Sequence, residues 1–490
     1  MRKEKAELTG IEKAAILKRR RVLVAFAKFY PASLAGSVLL TLFAIFATGD
    51  FLASFTPARA ATTAGIFALN AMLFAVLFFA TYDFSGEGKP SGRYYLLAAV
   101  TVGITYIACL AAARWLSVFA LPIALCTLVL IELSDRKISL ISTLVTAAML
   151  FLAFAFGTYY SDRVMADVII SVIANFAGAM GINFLVSKHL TRLKFILGGF
   201  VAASVGQPLL VFCMLATGIS DINLLFNVLW SYGSAVAAVM VFTPLVAMFE
   251  GIFNIADDFR LDELTNLNQP LLKRLASEAP GTFNHSLVVG NLSEACANAI
   301  GENPHMARAA AYYHDIGKLK APVYFSENQS TYNPHDELIP EVSVSMITSH
   351  TVFGEILAKQ YRLPPEIVAV CKEHHGTAPV GYFYRKALNL TEEGDLPVYN
   401  YTYPGPKPQT KISAIVMIAD TVEAAMRAYT PDTKEEFEAR VNKLVDEKLQ
   451  LGQFDECPVT MKDLTVIKNT IIETLPRVQH GRVSYEKKKA

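Results

Sequence analysis

The segment Ala309-Ala310-Ala311-Tyr312-Tyr313-His314-Asp315-Ile316-Gly317-Lys318 places two ionisable residues at the end of an apolar helical pattern. Burying a histidine and an aspartate side by side costs free energy unless a charged partner lies beside them. A divalent cation is such a partner, because imidazoles and carboxylates are ligands of transition metals. The segment therefore predicts a helical fold that carries a metal site.

Further histidines and one aspartate follow helical patterns on both sides of this segment. The candidate metal ligands are His285, His314, Asp315, His350, His374, His375 and Asp420. Each histidine alone is more typical of a packed or surface residue than of a ligand. Together, the five imidazoles and two carboxylates exceed what one tetrahedral ion needs. They fit two divalent ions that share Asp315 as a bridge.

The first half of the chain is almost entirely apolar. The whole sequence has 490 residues, of which 53% are hydrophobic and 18% are charged, so it is too apolar for an ordinary soluble protein. Apolar runs long enough to cross a bilayer lie at about 30–49, 62–82, 94–112, 115–133, 139–158, 165–187, 195–217 and 225–248. We therefore expect about eight membrane-spanning helices.

The distribution of basic residues predicts the orientation of these spans. A basic N-terminus held inside makes alternate loops cytoplasmic, and these carry Lys89, Arg93, Arg136, Lys137, Lys188, Arg192 and Lys194. The opposite loops carry Arg59, Arg114 and Arg163. Because basic residues accumulate in cytoplasmic loops, an even number of spans leaves the polar second half in the cytoplasm.

The predicted organisation has five parts. They are a basic cytoplasmic N-terminus at 1–29, a transmembrane bundle at 30–248, a helical connector at 249–280, a catalytic domain at 281–476 and a flexible tail at 477–490. The catalytic domain shows helical patterns at 282–300, 304–318, 338–361, 364–375, 411–428, 433–450 and 460–475. Prolines in Thr391–Gln409 exclude a regular helix there, and strand alternation is scarce.

Three residues outside the metal ligands are candidates for contact with a substrate. Lys318 can bind a non-bridging phosphate oxygen, although a solvated lysine at a helix end is the alternative interpretation. Tyr382 and Arg385 lie in a mixed aromatic and basic segment that suits purine stacking and phosphate pairing. Packing residues and a solvated helix end explain that segment equally well.

The motifs that carry this chemistry resemble those of a known family. The runs GTFNHSLVV at 281–289 and YYHDIGK at 312–318 resemble HD-domain phosphohydrolases, and more closely the membrane-anchored PgpH-type (7TM-HD) cyclic di-AMP phosphodiesterases. Further matches occur at 327–329, 333–336, 373–377, 403–408 and 419–424. The similarity is dense from Leu261 to Thr430, and the ordered set is far more specific than the His-Asp pair alone.

The resemblance implies an all-α protein in which a polytopic membrane bundle precedes a cytoplasmic HD domain. It implies that the seven candidate ligands hold two divalent metal ions, iron or manganese. As the bridging carboxylate and the neighbouring cation, Asp315 and Lys318 are the candidate catalytic residues. The implied reaction is hydrolysis of cyclic di-AMP to linear pApA at a bacterial plasma membrane. His305, His335 and His480 match no ligand position and are predicted to lie at the surface. The loop Asp50–Thr62 is too short for the extracellular domain that family members carry there.

Two other functions fit the same sequence. One is hydrolysis of another nucleotide, such as cyclic di-GMP, and the other is a non-catalytic membrane receptor that only binds a nucleotide. The complete set of candidate ligands favours an enzyme. The expected partners are a cyclic dinucleotide and the lipid bilayer, with a homodimer left open. A net charge of +1 gives no reason to expect a nucleic acid polymer as partner.

Overall fold

The structure is a computed structural model that describes residues 10–48, 56–84, 91–156, 162–186, 192–219, 222–390, 396–429, 431 and 433–478. Regular secondary structure in these ranges is helical, and Pro379 forms an isolated antiparallel bridge with Thr402. The chain divides into two compact units, Met1–Ile255 and Ala256–Ala490. The predicted all-α fold is confirmed.

The helices of the first unit, within the described ranges, are long and apolar. They are α1 (Gly10–Thr48), α2 (Pro57–Phe84), α3 (Ser91–Trp115), α4 (Ala124–Leu133), α5 (Arg136–Phe156), α6 (Asp162–Leu185), α7 (Arg192–Ala203), α8 (Gly206–Ala216) and α9 (Ile222–Phe253). Seven segments are long and apolar enough to cross a membrane, namely Val22–Ala47, Ala60–Thr81, Gly92–Trp115, Arg136–Ala155, Met165–Leu185, Ile196–Ala216 and Ile222–Phe253. Large apolar side chains such as Leu39, Phe212 and Met240 are exposed on them, as on a lipid-facing surface.

One predicted span differs from the structure. The range 115–133 contains only the ten-residue helix α4, so seven rather than eight described segments meet the length requirement. The helix cannot extend through the whole range, because Pro122 lacks a backbone N–H and its ring clashes with the preceding turn. Every residue of α4 is buried, which places this short helix inside the bundle.

Polar side chains join helices inside this apolar unit. Thr127 of α4 and Thr143 of α5 share a hydrogen bond of 2.8 Å between their hydroxyl groups. Ser231 of α9 donates to the Asn175 side-chain oxygen of α6 at 3.1 Å. Because lipid offers no hydrogen-bond partners, these groups satisfy one another between helices.

The second unit contains ten α-helices in the part of the chain that the structure describes. They are α10 (Asp258–Leu264), α11 (Pro270–Glu278), α12 (Pro280–Ile300), α13 (Pro304–Tyr313), α14 (Pro340–Gln360), α15 (Pro365–Glu373), α16 (Gly381–Leu390), α17 (Lys411–Ala428), α18 (Lys434–Gln450) and α19 (Met461–Val478). Short 3-10 helices lie at Ile316–Lys320, Pro322–Tyr324, Ser326–Asn328, Pro334–Asp336 and Val398–Tyr401. The predicted tail lies outside the described residues from 479 onward, as does His480.

The first two helices of this unit fall in the range predicted as a connector. Leu261 of α10 and Leu271 and Leu275 of α11 are buried in the core of the second unit. Charged neighbours such as Asp262, Glu263 and Lys273 are exposed, so the mixed composition of the predicted helical connector is that of amphipathic helices. The structure therefore assigns residues from 256 onward to the second unit.

Small side chains bring the helices around the candidate site close together. Ala309, Ala310 and Ala311 of α13 are fully buried, and α13 packs against α12, α15 and α17. The predicted helix 304–318 ends at Tyr313, and its last residues form a 3-10 turn instead. Gly317 in this turn lies against α14 so closely that a Cβ atom would be 1.9 Å from the His350 carbonyl oxygen.

Candidate metal centre

The structure brings all seven candidate ligands together. His285 lies on α12, His314 and Asp315 follow α13, and His350 lies on α14. His374 and His375 follow α15, and Asp420 lies on α17. The donor atoms form two groups, each within 4.8 Å, which are Asp315, His350, His374 and His375 on one side and His285, His314, Asp315 and Asp420 on the other.

Asp315 belongs to both groups, and its two oxygens face different ones. Oδ1 lies 3.2 Å from His350 Nε2 and 3.5 Å from His374 Nε2. Oδ2 lies 3.2 Å from His314 Nε2 and 3.8 Å from His285 Nε2. A carboxylate with one oxygen toward each cluster has the geometry of a bridge between two cations.

Asp420 is a member of the second group and also lies near His375 of the first. Its Oδ1 lies 3.0 Å from His285 Nε2, and its Oδ2 lies 3.6 Å from His375 Nδ1. The side chain projects from the buried face of α17, where neighbouring positions such as Ala419 and Val422 are fully buried. An isolated carboxylate at this place would be strongly unfavourable, so its position requires positive charge nearby.

Hydrogen bonds on the far side of the imidazoles fix their orientation. His314 Nδ1 donates to the Ala311 carbonyl at 2.6 Å, and His350 Nδ1 donates to the Ile347 carbonyl at 2.6 Å. His374 Nδ1 donates to a carbonyl of its own helix at 3.0 Å. Because a neutral imidazole has one protonated nitrogen, these bonds leave each Nε2 as a free electron-pair donor toward the centre.

Buried polar atoms without hydrogen bonds provide a direct test of whether a cation fits. His314 Nε2 and Asp315 Oδ1 are buried and receive no well-aligned hydrogen bond, and Asp315 Oδ2 has the Lys318 ammonium group at 2.7 Å. Leaving such atoms unsatisfied costs free energy, and metal coordination satisfies them. The imidazole and carboxylate donors therefore fit divalent metal ions at this site.

The pKa values of these groups show how strongly the centre favours positive charge. Burial lowers the pKa of His374 to about 4, so its imidazole is neutral at pH 7. Burial also acts to lower the pKa of His314, but the Asp315 and Asp420 carboxylates together outweigh it and raise that pKa to about 10. Despite their burial, both carboxylates have pKa values well below their usual range because of the neighbouring histidines.

Lys318 lies at the edge of the centre, between two carboxylates. Its Nζ atom is 2.7 Å from Asp315 Oδ2 and 2.7 Å from Glu327 Oε1. These carboxylates raise the pKa of the lysine although its burial acts in the opposite direction. Lys318 is therefore a charged group that is already paired on two sides, rather than a solvated helix-end lysine.

A cavity of about 640 Å³ opens onto the centre. Its walls include the ligands His285, His350, His375 and Asp420 together with Lys318, Tyr382, Tyr403 and Arg427. A volume of this size is typical of small-molecule sites. Of the predicted substrate residues, Lys318 and Tyr382 line the cavity, whereas Arg385 is exposed on α16 and is absent from the described lining.

Sequence reasoning did not identify several residues of this site. Glu423 accepts a hydrogen bond from His285 Nδ1, and it lies one turn beyond Asp420 on α17. Tyr403 stacks on His375 with ring centroids 4.2 Å apart, and Tyr403 N donates to the Ala378 carbonyl at 3.0 Å. The motif at 403–408 lies in a loop, and its sequence does not show which residue reaches the centre.

The non-ligand histidines differ from their prediction in one case. His335, predicted at the surface, is 5% exposed, because it packs between Tyr324 and Phe383 and donates to the Tyr324 carbonyl. It follows a proline in a 3-10 turn that folds over the cavity wall. His305 is partly exposed and pairs with Asp262 at 2.6 Å.

Comparison with family models identifies the second unit. Residues 282–425 match the model described as the HD domain. This segment is an HD domain. All seven candidate ligands lie within the matched segment of this HD domain, and so do the cavity residues Lys318, Tyr382 and Tyr403.

Beyond the HD domain, the chain is similar to proteins named cyclic-di-AMP phosphodiesterase PgpH. It is 37% identical to the one from Bacillus subtilis (strain 168) over 374 residues, which is 75% of this chain and 51% of that protein. It is 34% identical to the one from Listeria monocytogenes serotype 1/2a (strain 10403S) over 75% of this chain and 50% of that protein. The chain thus spans about half the length of these curated relatives, and the predicted resemblance to PgpH-type proteins is confirmed.

A solved structure shows the same likeness at the HD domain. It is titled as the L. monocytogenes phosphodiesterase PgpH HD domain in complex with cyclic-di-AMP. Sequence identity is 43%, the TM-score is 0.42, and the match covers 44% of this chain and 100% of that chain.

Proposed function

We propose that the chain is a membrane-bound phosphodiesterase that hydrolyses cyclic di-AMP to linear pApA with two divalent metal ions. The observation that carries the proposal is the bridging geometry of Asp315, whose oxygens face two separate donor groups. The names of the relatives support the choice of reaction and substrate.

The residues of the site have distinct roles in the proposed hydrolysis. Two divalent ions held by the two donor groups supply Lewis acidity for attack on a phosphodiester. Asp315 and Asp420 hold negative charge between the imidazoles, and hydrogen bonds from the Nδ1 atoms keep the rings in a fixed orientation. Lys318, anchored by Glu327, places a positive charge at the cavity wall, where it can stabilise charge that develops on the phosphate.

The cavity suits a dinucleotide in size and chemistry. It has a volume of about 640 Å³ and is lined in part by the aromatic side chains of Tyr324, Phe325 and Tyr382. Aromatic rings stack on the faces of purine bases. Tyr382 is 65% exposed and meets Phe383 edge to face at 5.0 Å, so it offers a free ring surface near the mouth.

We further infer iron or manganese as the metal and a cytoplasmic HD domain at the bacterial plasma membrane. Mixed imidazole and carboxylate ligands suit both metals. In this proposal the non-helical residues 116–123 and α4 together form an eighth crossing. Phe119 and Leu121 are buried, and irregular backbone at membrane depth is tolerated where protein surrounds it. Eight crossings return the chain to the side of its basic N-terminus.

The test is an assay of the full chain in detergent or nanodiscs, loaded with Mn²⁺ or Fe²⁺. Cyclic di-AMP, cyclic di-GMP and linear pApA are offered separately, and products are resolved by ion-exchange chromatography. We expect metal-dependent conversion of cyclic di-AMP to pApA, faster than conversion of the guanine compound. Nucleotide binding without turnover in metal-loaded protein would refute the enzyme, and preference for cyclic di-GMP would refute the substrate.

A further inference from the structure

One arginine of the cavity has no role in the proposed chemistry. Arg427 lies on α17 two turns beyond Asp420, and both residues line the cavity. Ala424 and Ala428 are the other lining residues of this part of α17. The cavity-facing side of α17 thus carries a metal-centre carboxylate at one end and an arginine at the other.

The Arg427 guanidinium group forms no hydrogen bond with the described part of the chain. Its nearest ion-pair contact is Glu423 Oε2, at 3.9 Å from Nη2, which is beyond hydrogen-bonding distance. The same Glu423 oxygen accepts the hydrogen bond from His285 Nδ1. Glu423 therefore forms a hydrogen bond with the metal-centre histidine, and its interaction with Arg427 is electrostatic only.

The other cation of the cavity wall contrasts with Arg427. Lys318 is 2.7 Å from each of two carboxylates and is largely buried. Arg427 has one distant carboxylate, and its side chain is 40% exposed toward open space. The cavity thus has one cation fixed at the metal centre and a second whose hydrogen-bond donors remain available to a ligand.

We propose that Arg427 binds the second phosphodiester of a cyclic dinucleotide while the first lies at the metal centre. This inference rests on the proposed function, because it assumes a substrate that carries two phosphodiesters in one ring. Such a ring keeps its two phosphates apart, so a site that attacks one must also hold the other. A planar guanidinium with free donors binds phosphate in a bidentate manner, which a point charge does not reproduce.

A plain surface ion pair with Glu423 is the competing explanation, and the chain offers a matched control for it. Arg274 on α11 is also 40% exposed and also pairs with a glutamate four residues later, at 2.8 Å from Glu278. Arg274 is not among the described residues that line the cavity. A general loss of surface charge or of a helical ion pair affects both arginines alike.

The experiment compares the full-length wild type with Arg427→Gln, Arg427→Lys and Arg274→Gln, all loaded with Mn²⁺. The substrates are cyclic di-AMP and bis(4-nitrophenyl) phosphate, a diester with a single phosphate. For Arg427→Gln we expect the KM for cyclic di-AMP to rise roughly tenfold to a hundredfold, as for a lost hydrogen bond to a charged group. Turnover of bis(4-nitrophenyl) phosphate and metal content should stay near wild type. Arg427→Lys should recover only part of the loss.

The outcomes separate this inference from the proposed function. An unchanged KM for cyclic di-AMP in Arg427→Gln, or equal losses on both substrates, overturns the role of Arg427. A comparable loss in Arg274→Gln overturns it as well, because the effect is then one of surface charge. Wild-type protein that hydrolyses bis(4-nitrophenyl) phosphate but not cyclic di-AMP overturns the proposed substrate instead.

Discussion

His285 donates its Nδ1 hydrogen to Glu423, and its Nε2 atom faces Asp420 Oδ1 at 3.0 Å. The two contacts join α12 to α17 through a single buried imidazole. A carboxylate behind a metal-ligating histidine fixes the ring and raises its basicity. Glu423 therefore acts on the centre through His285 rather than by direct contact.

Glu423→Ala is expected to weaken metal binding while the fold persists. The substitution removes the acceptor that orients His285, and loss of such a contact lowers metal affinity by about 10–100-fold. Competition with a fluorescent metal indicator measures the effect. Glu447→Ala, which removes an exposed glutamate of α18 near Lys443, is the control and should bind metal like the wild type.

Asp315→Ala is expected to lose both metal ions and turnover together. The variant removes the oxygens that face each donor group, so neither group retains its shared carboxylate. Metal content measured by mass spectrometry should fall from two ions per chain toward none. Retention of both ions with a near-normal rate would contradict the bridge. Asp446→Ala on α18 is the matched control, since its carboxylate is half exposed and pairs with Lys468.

Lys318→Ala is expected to slow hydrolysis without changing metal content. It should also destabilise the metal-free protein, because Asp315 and Glu327 both lose a cation at 2.7 Å. Removing one partner of a buried pair costs about 3–5 kcal/mol. Thermal unfolding measures this cost. Lys359→Ala removes a side chain that is 62% exposed and should leave the midpoint almost unchanged.

Gly317→Ala is expected to disrupt the centre although no ligand is altered. The added Cβ would lie 1.9 Å from the His350 carbonyl oxygen and 2.5 Å from Gly354 N, so α14 must move away from the turn. His350 moves with α14, and both metal content and melting temperature should fall. Gly381→Ala places its Cβ no closer than 3.8 Å to a neighbour and serves as the control.

Metal removal is expected to lower thermal stability reversibly. Ions that bind only the folded chain stabilise it by about 2.7 kcal/mol per site at a hundredfold excess over Kd. Treatment with a chelator should lower the midpoint of HD-domain unfolding, and added Mn²⁺ should restore it in the wild type. Asp315→Ala should show no such recovery, and a recovery of normal size there would argue against binding at these residues.

The sequence predicted the donor residues well for a physical reason. Ionisable residues such as His314, Asp315 and Asp420 end or interrupt apolar helical patterns, and such placements are costly without a cation. Glu423 and Arg427 gave no comparable signal. Each is an ordinary charged residue on an amphipathic helix, and only the packing of α17 against α12 shows which face meets the cavity.

The same limit explains the errors in the fold. Periodicity does not reveal that Gly317 lies against α14, so the end of α13 was placed too late. Composition alone does not distinguish a continuous span from the broken segment 116–133, in which every residue of α4 is buried by protein rather than by lipid. His335 looked like a surface residue because its aromatic neighbours come from distant positions.

The order of the donors along the chain sets the order in which they become available during synthesis. The group of Asp315, His350, His374 and His375 has all its members once residue 375 has left the ribosome, whereas the other group must wait for Asp420. The donors of the two groups thus become available at different stages of translation, while the centre itself forms only when the domain folds as a unit. A chain arrested between these positions holds donors for one ion and lacks the carboxylate that completes the second.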